Sequence, residues 1–148
     1  MKRPILPVIL VIIAGFSGET LSAQPFPPAP SIRLEYFPSI PKAIDGCGGM
    51  YTYDSVSLKR EKYIFIDNQQ ELAFIHIGGK TIALKRLSEA ALGKKTYKDV
   101  FAGSGYTVTV ILKTVKTIDE EDNFVDGTLE VRKGQSVLKL KIHGEAGC

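Results

Sequence analysis

Glu71-Leu72-Ala73-Phe74-Ile75-His76-Ile77-Gly78-Gly79-Lys80-Thr81-Ile82-Ala83-Leu84-Lys85 decides the class of fold. Two apolar runs flank a glycine pair. That pattern signals a β-hairpin, because the central residues of a tight hairpin turn need positive φ and glycine adopts it without steric cost. A turn at Gly78-Gly79 sets Ile77 opposite Lys80, Ile75 opposite Ile82 and Ala73 opposite Leu84. Side chains alternate along a strand, so this register gathers Ala73, Ile75, Ile82 and Leu84 on one apolar, core-forming face. Continued through the loop Asp67-Asn68-Gln69-Gln70, the pattern places Ile64 beside Ala73. The second face then carries Tyr63, Phe65, Leu72, Phe74 and Ala83, with His76 at its edge. So much apolar area does not normally face water. Another segment packs on it, or Tyr63, Phe65, Leu72 and Phe74 form a binding face.

Outward from this hairpin the pattern repeats. Short segments rich in β-branched and aromatic residues, bounded by turn residues, predict strands at Ile32–Phe37, Met50–Val56, Lys62–Ile66, Leu72–Ile77, Thr81–Leu87, Thr96–Phe101, Tyr106–Thr114, Gly127–Arg132 and Val137–His143. One short helix is expected around Leu87 to Leu92, where Ser-Glu-Ala-Ala interrupts the β pattern. In the last hairpin a turn at Lys133-Gly134 pairs Val131 with Ser136 and Leu129 with Leu138, and sets Asp126 opposite Lys141. Leu129, Val131, Leu138, Leu140 and Ile142 share its buried face. The expected fold is all-β, a small antiparallel barrel or sandwich of about eight or nine strands with at most one short helix.

The N-terminus predicts export. Lys2 and Arg3 precede an apolar stretch from Ile5 to Phe16, and Leu21-Ser22-Ala23 offers a small-residue cleavage site. The stretch is too short for a stable membrane anchor, which takes about 20 residues. Residues 1–23 read as a secretory signal, 24–30 as a Pro-rich extended leader and 31–148 as a single β domain, with no transmembrane segment after cleavage. The chain carries 19 Lys and Arg against 16 Asp and Glu, and loss of residues 1–23 removes Lys2, Arg3 and Glu19. Such a balance gives no argument for nucleic acid. The two cysteines, Cys47 and Cys148, are expected to pair in an oxidising, periplasmic or secreted location.

Signatures of catalysis are missing. Ser104, in Gly103-Ser104-Gly105, is not a nucleophile elbow, and Gly46-Cys47-Gly48-Gly49 lacks the ending of a phosphate loop. Asp54, Glu61 and Asp67 give no defensible acid–base pair. The acidic run Asp119–Asn123 does not match the spacing of a calcium loop, and His76, His143 and Glu145 do not form a zinc pattern. The chain reads as a non-enzyme with no cofactor and no metal. It is expected to be an exported binding or structural module with an envelope or secreted partner.

Three segments carry a resemblance: Ile40–Cys47, Ala73–Lys80 and the ending Gly144-Glu145-Ala146-Gly147-Cys148. Together they resemble an uncharacterised family of small exported bacterial β proteins, with Gly-Cys near the start and Gly-x-x-Gly-Cys at the end. The resemblance implies no activity. It implies an extra cysteine near each end in relatives, where Gly49 and Ala146 stand here. A weaker similarity, carried by Ser104-Gly105-Tyr106, is to periplasmic lysozyme inhibitors, although this chain has no Trp. It makes an inhibitor of a cell-wall hydrolase one alternative function. A carrier holding a small apolar ligand inside the barrel is another.

Overall fold

A computed structural model of the protein describes Pro25 and residues 27–148. The expected signal at 1–23 lies outside the described residues. Eight strands follow in order: β1 (Gly48–Thr52), β2 (Phe65–Asp67), β3 (Leu72–Ile77), β4 (Lys80–Gly93), β5 (Thr96–Gly103), β6 (Tyr106–Thr117), β7 (Asn123–Lys133) and β8 (Ser136–Gly147). Each pairs antiparallel with the next, and β8 returns to β1, closing a barrel. Closure removes the sheet edges that an open sheet must otherwise protect.

The central hairpin has the register that its glycines dictate: Ile77 faces Lys80, Ile75 faces Ile82 and Ala73 faces Leu84, with Gly78 at φ 59° and Gly79 at φ 72°. The barrel core contains Phe65, Ile75, Leu84, Phe101, Val108, Val110, Leu129, Val131 and Ile142, all at most 2 % exposed. Side chains fill the interior, as expected for an eight-stranded barrel of this size.

Several expectations are corrected. The helix is not at Leu87–Leu92, which lies in β4; it is α1 (Ser55–Lys59), within the stretch expected to continue a strand to Val56. Asp54 caps α1, its Oδ1 accepting from the Ser57 N–H at 2.7 Å, and an N-cap bond of this kind satisfies a donor that a new helix leaves free. Ile32–Phe37 is not a strand but an extended strap. Its Glu35 N–H donates to the His76 carbonyl and its Phe37 N–H to the Tyr63 carbonyl.

The register between β2 and β3 also differs from expectation. Phe65 pairs with Ile75 and Asp67 with Ala73, an odd offset that inverts every β2 side chain. Asp67 and Asn68 produce this, because their side chains accept from Gln69 N–H and from Gln70 and Leu72 N–H and shape the connection. In the last hairpin Lys133 pairs with Ser136 and Val131 with Leu138. That offset from the expected register is even, so the buried face survives while the cross-strand partners change. Asp126 faces His143, not Lys141, with Oδ1 2.6 Å from Nδ1.

The two ends of the barrel differ. At one end lie the tight turns Gly78-Gly79, Ser104-Gly105 and Gly134-Gln135. The strap closes this end. Leu34, 3 % exposed, joins the barrel core, and Ile32 packs against it. The Ser136 hydroxyl donates to the Pro30 carbonyl at 2.6 Å, the Tyr53 hydroxyl to the Leu34 carbonyl at 3.0 Å, and the Gly79 N–H to Glu35 at 2.8 Å. The other end is ringed by the longer β4–β5 and β6–β7 hairpins and carries the Cys47–Cys148 disulfide. The bridge sits directly beyond the Gly48–Gly147 pair of the closing seam.

Closing a loop on the order of 100 residues is worth up to about 4.7 kcal/mol in the chain-entropy model. Cys47→Ser or Cys148→Ser is therefore expected to lower stability by about 2–5 kcal/mol in urea denaturation. An unchanged midpoint in both variants contradicts that role for the bridge.

Candidate functional site

The four residues of the expected binding face do not stay together. Phe65 points into the barrel and is fully buried, its ring centroid 5.5 Å from that of Tyr51 and 5.9 Å from that of Phe101. Tyr63, Leu72 and Phe74 do share an outer cluster, with Ile66. The chain itself covers it: Phe37 from the strap and Ile44 from the following segment pack there, leaving Phe74 7 % exposed. The strap thus plugs one end of the barrel and then seals an outer face.

The open end is different in kind. A cavity of about 270 Å³ enters the barrel there. Tyr51, Asp67, Arg86 and Asp99 line its depth; Glu89, Tyr97, Leu112, Thr114 and Val125 line its walls; and Gln69, Glu121 and Asn123 stand nearer the rim. Each residue has a local cause for being there. Asp67 ends β2 facing inward because of the corrected register. Asp99 alternates with Tyr97 and with the buried Phe101 on the inner face of β5. Arg86 continues the inward row of Ile82 and Leu84. A bulge at Leu87 then changes the phase of β4. Ser88 faces outward and Glu89 turns inward opposite Asp99, while the bulged Leu87 is left 66 % exposed.

Tyr51 reaches this level because Gly49 gives way. A Cβ at Gly49 would overlap the Tyr51 hydroxyl, so only glycine admits the ring. Gly49 also pairs directly with Ala146 across the seam. The two positions implied by the family resemblance for an extra cysteine pair are therefore neighbours, and here small residues and the phenol occupy that place.

The electrostatics are unusual for so small a domain. Asp67 is 5 % exposed. Burial pushes its pKa up to about 6, against the opposing Gln69 N–H and Tyr51 phenol, and the Asp99 carboxylate adds to the rise. Burial also raises Asp99, with Arg86 pulling the other way. Tyr51 is held well above the ordinary tyrosine range by burial and then by Asp67. The Arg86 guanidinium is shared, 3.2 Å from Glu89 and 3.6 Å from Asp99. Among the described residues, Asp99 Oδ1 is enclosed without a hydrogen-bond partner. Buried polar atoms rarely stay unpaired without a reason.

Register and bulge explain why the sequence did not reveal this cluster. The expected strand ended at Ile66 and left Asp67 in a loop, whereas β2 runs to Asp67, and the expected helix hid the inward turn of Glu89. The alternation Tyr97, Asp99, Phe101 was the available signal, since one apolar core residue on that face fixes where Asp99 points.

His143 and Asp126 form an exposed pair on the outer wall, and Asp119 accepts from the Glu121 and Asp122 N–H groups in the β6–β7 loop. Among the described residues no three His, Cys, Asp or Glu side chains are placed to hold a metal ion, and no helix is long and apolar enough to cross a membrane. No protein-family model, curated protein or solved structure matches this chain.

Two outcomes follow from these placements. Phe74→Ala should lower stability by about 3–5 kcal/mol, the range for a buried phenylalanine. A loss below about 1 kcal/mol in urea denaturation would mark the outer face as open surface instead. The second concerns pH. The folded pKa of Asp67, about 6, lies above the unfolded value of about 3.9. The native state therefore binds the extra proton between those values. Asp67 contributes stability that is present in acid and lost as pH rises through 6. Asp67→Asn carries no charge, so it should exceed the wild type by about 2–3 kcal/mol at pH 7.5, and this gap should narrow markedly at pH 5. An equal difference at the two pH values contradicts the raised pKa.

Proposed function

We propose that the protein is an exported, non-catalytic binding module whose ligand enters the open mouth of the barrel. The observation that carries the reading is the contrast between the two ends: Leu34 plugs one, and a polar cavity of about 270 Å³ opens at the other. That volume lies just below the usual range of small-molecule pockets, and a concave site with a few convergent polar groups and shifted pKa values is the ordinary form of a binding site. A rigid closed barrel with its ligand contacts at one rim divides structural and binding roles between different residues.

Export is supported by the basic and apolar N-terminal pattern and by the disulfide, which is consistent with an oxidising location. A periplasmic or secreted protein fits both. The core argues against a carrier of apolar ligands, because Phe65, Phe101, Leu129 and their neighbours already fill the space such a ligand would take. For a hydrolase inhibitor, the projecting β4–β5 and β6–β7 hairpins are the segments able to enter a cleft. Ser104-Gly105-Tyr106 lies at the plugged end.

Backbone amide shifts of the oxidised protein, recorded against a panel of neutral, anionic and cationic small molecules, test the reading. At least one class should give saturable changes centred on Gln69, Tyr97, Thr114 and Asn123. Saturable changes centred on Phe37, Tyr63 and Phe74 instead, or none at the mouth with any class, contradict it.

A further inference from the structure

The charges of the cavity favour one class of ligand. Four carboxylates line it (Asp67, Glu89, Asp99 and Glu121) against a single guanidinium, Arg86. The imbalance is local, since the whole chain has a formal net charge of +3. Arg86 does not resolve it. Its Nη1 lies 3.2 Å from Glu89 and reaches the enclosed Asp99 Oδ1 only at 3.6 Å, an ion pair too long to be a hydrogen bond, so that oxygen has no hydrogen-bond partner among the described residues. Asp67, 5 % exposed, has no cation within salt-bridge distance there. An acceptor oxygen enclosed beside a second buried carboxylate is a place for a donor that carries positive charge, because charge-assisted hydrogen bonds are the strong ones and a low dielectric strengthens them further.

The walls narrow the choice. Tyr97 offers a ring, and Leu112 and Val125 offer apolar surface, which suit a short methylene chain behind a charged head. The carboxylates are spread over the depth and rim of the cavity, and they do not converge as a metal shell among the described residues. Resting on the reading of the mouth as the binding site, we propose that the mouth cavity recognises an organic ammonium or guanidinium group, with Asp99 and Asp67 as its acceptors, Glu89 attracting it from the wall and Glu121 from the rim. The group has two possible sources, a free alkylamine or the Lys or Arg side chain of a protein partner.

Calorimetric titration of the oxidised protein separates the outcomes. The ligands are agmatine, cadaverine, a Lys-containing tripeptide and glutarate, with calcium as the inorganic cation. Agmatine or cadaverine, or the tripeptide alone if the source is a protein, should bind at a ratio of one to one, and glutarate should not. Loss of one charged acceptor should weaken binding about tenfold or more in Asp99→Asn. The rim variant Glu121→Gln, exposed and safe for folding, should weaken it less and steepen no other property. Glu130→Gln, on the outer wall, should leave it unchanged. Tighter binding of the amines identifies a metabolite-sized ligand, and tighter binding of the tripeptide a protein side chain; either supports the proposal. No saturable binding of any amine or peptide, preference for calcium or glutarate, or binding unaltered in both Asp99→Asn and Glu121→Gln overturns it. If glutarate binds and shifts the mouth amides, the mouth remains a binding site and only its charge preference falls.

Discussion

Eight strands enclose a core only if the last finds the first. Here that pairing runs from Gly48 with Gly147 to Thr52 with His143, and the Cys47–Cys148 bridge lies immediately beyond it. The seam is short, and β1 meets β2 over only three residue pairs. A covalent tie at this point restricts the unfolded chain next to β1, whose pairing with β2 is the thin part of the sheet. Tyr51, Ala146 and Gly147, on the two strands that the bridge joins, line the open mouth.

Closure leaves two ends, and the chain treats them differently. The strap spends Leu34 and Ile32 on one, converting it into core, and its next residues seal the outer aromatic cluster. The other end holds ionisable groups at a level where apolar side chains would stabilise the fold better. Asp67 above its ordinary pKa and an enclosed Asp99 oxygen without a hydrogen bond both cost stability at neutral pH. Thr52 Oγ1, away from the mouth, is also buried without a hydrogen-bond partner, but the costly ionisable groups gather in one concave site, a common physical mark of a binding function.

Much of the fold was legible in the sequence because the local signals agreed with one another. Gly78-Gly79 fixed a turn and a register together, and the segment Leu72–Ile77 has the same bounds in the structure. The all-β class and the pairing of the two cysteines follow as directly. What was not legible depended on offsets of one residue. The side-chain bonds of Asp67 and Asn68 to nearby backbone reset β2 and turned Phe65 and Asp67 inward, while Ile64, just before the strand, stays in the barrel core as expected. The bulge at Leu87 kept a helix-like Ser-Glu-Ala-Ala stretch within a strand. Both features lie beside the mouth. The site was hidden because its residues are placed by departures from regular pairing, which periodicity does not encode.

The most direct measurement of the central claim is the titration of the Asp67 side-chain carboxyl, followed by its carbon chemical shift in the oxidised protein. A midpoint of about 6 is predicted for the free protein, falling when agmatine is bound, because a cation beside the carboxylate favours its charged form. A midpoint near 4 in the free protein, the ordinary value for a solvated aspartate, would contradict the account of a buried, charge-unbalanced mouth.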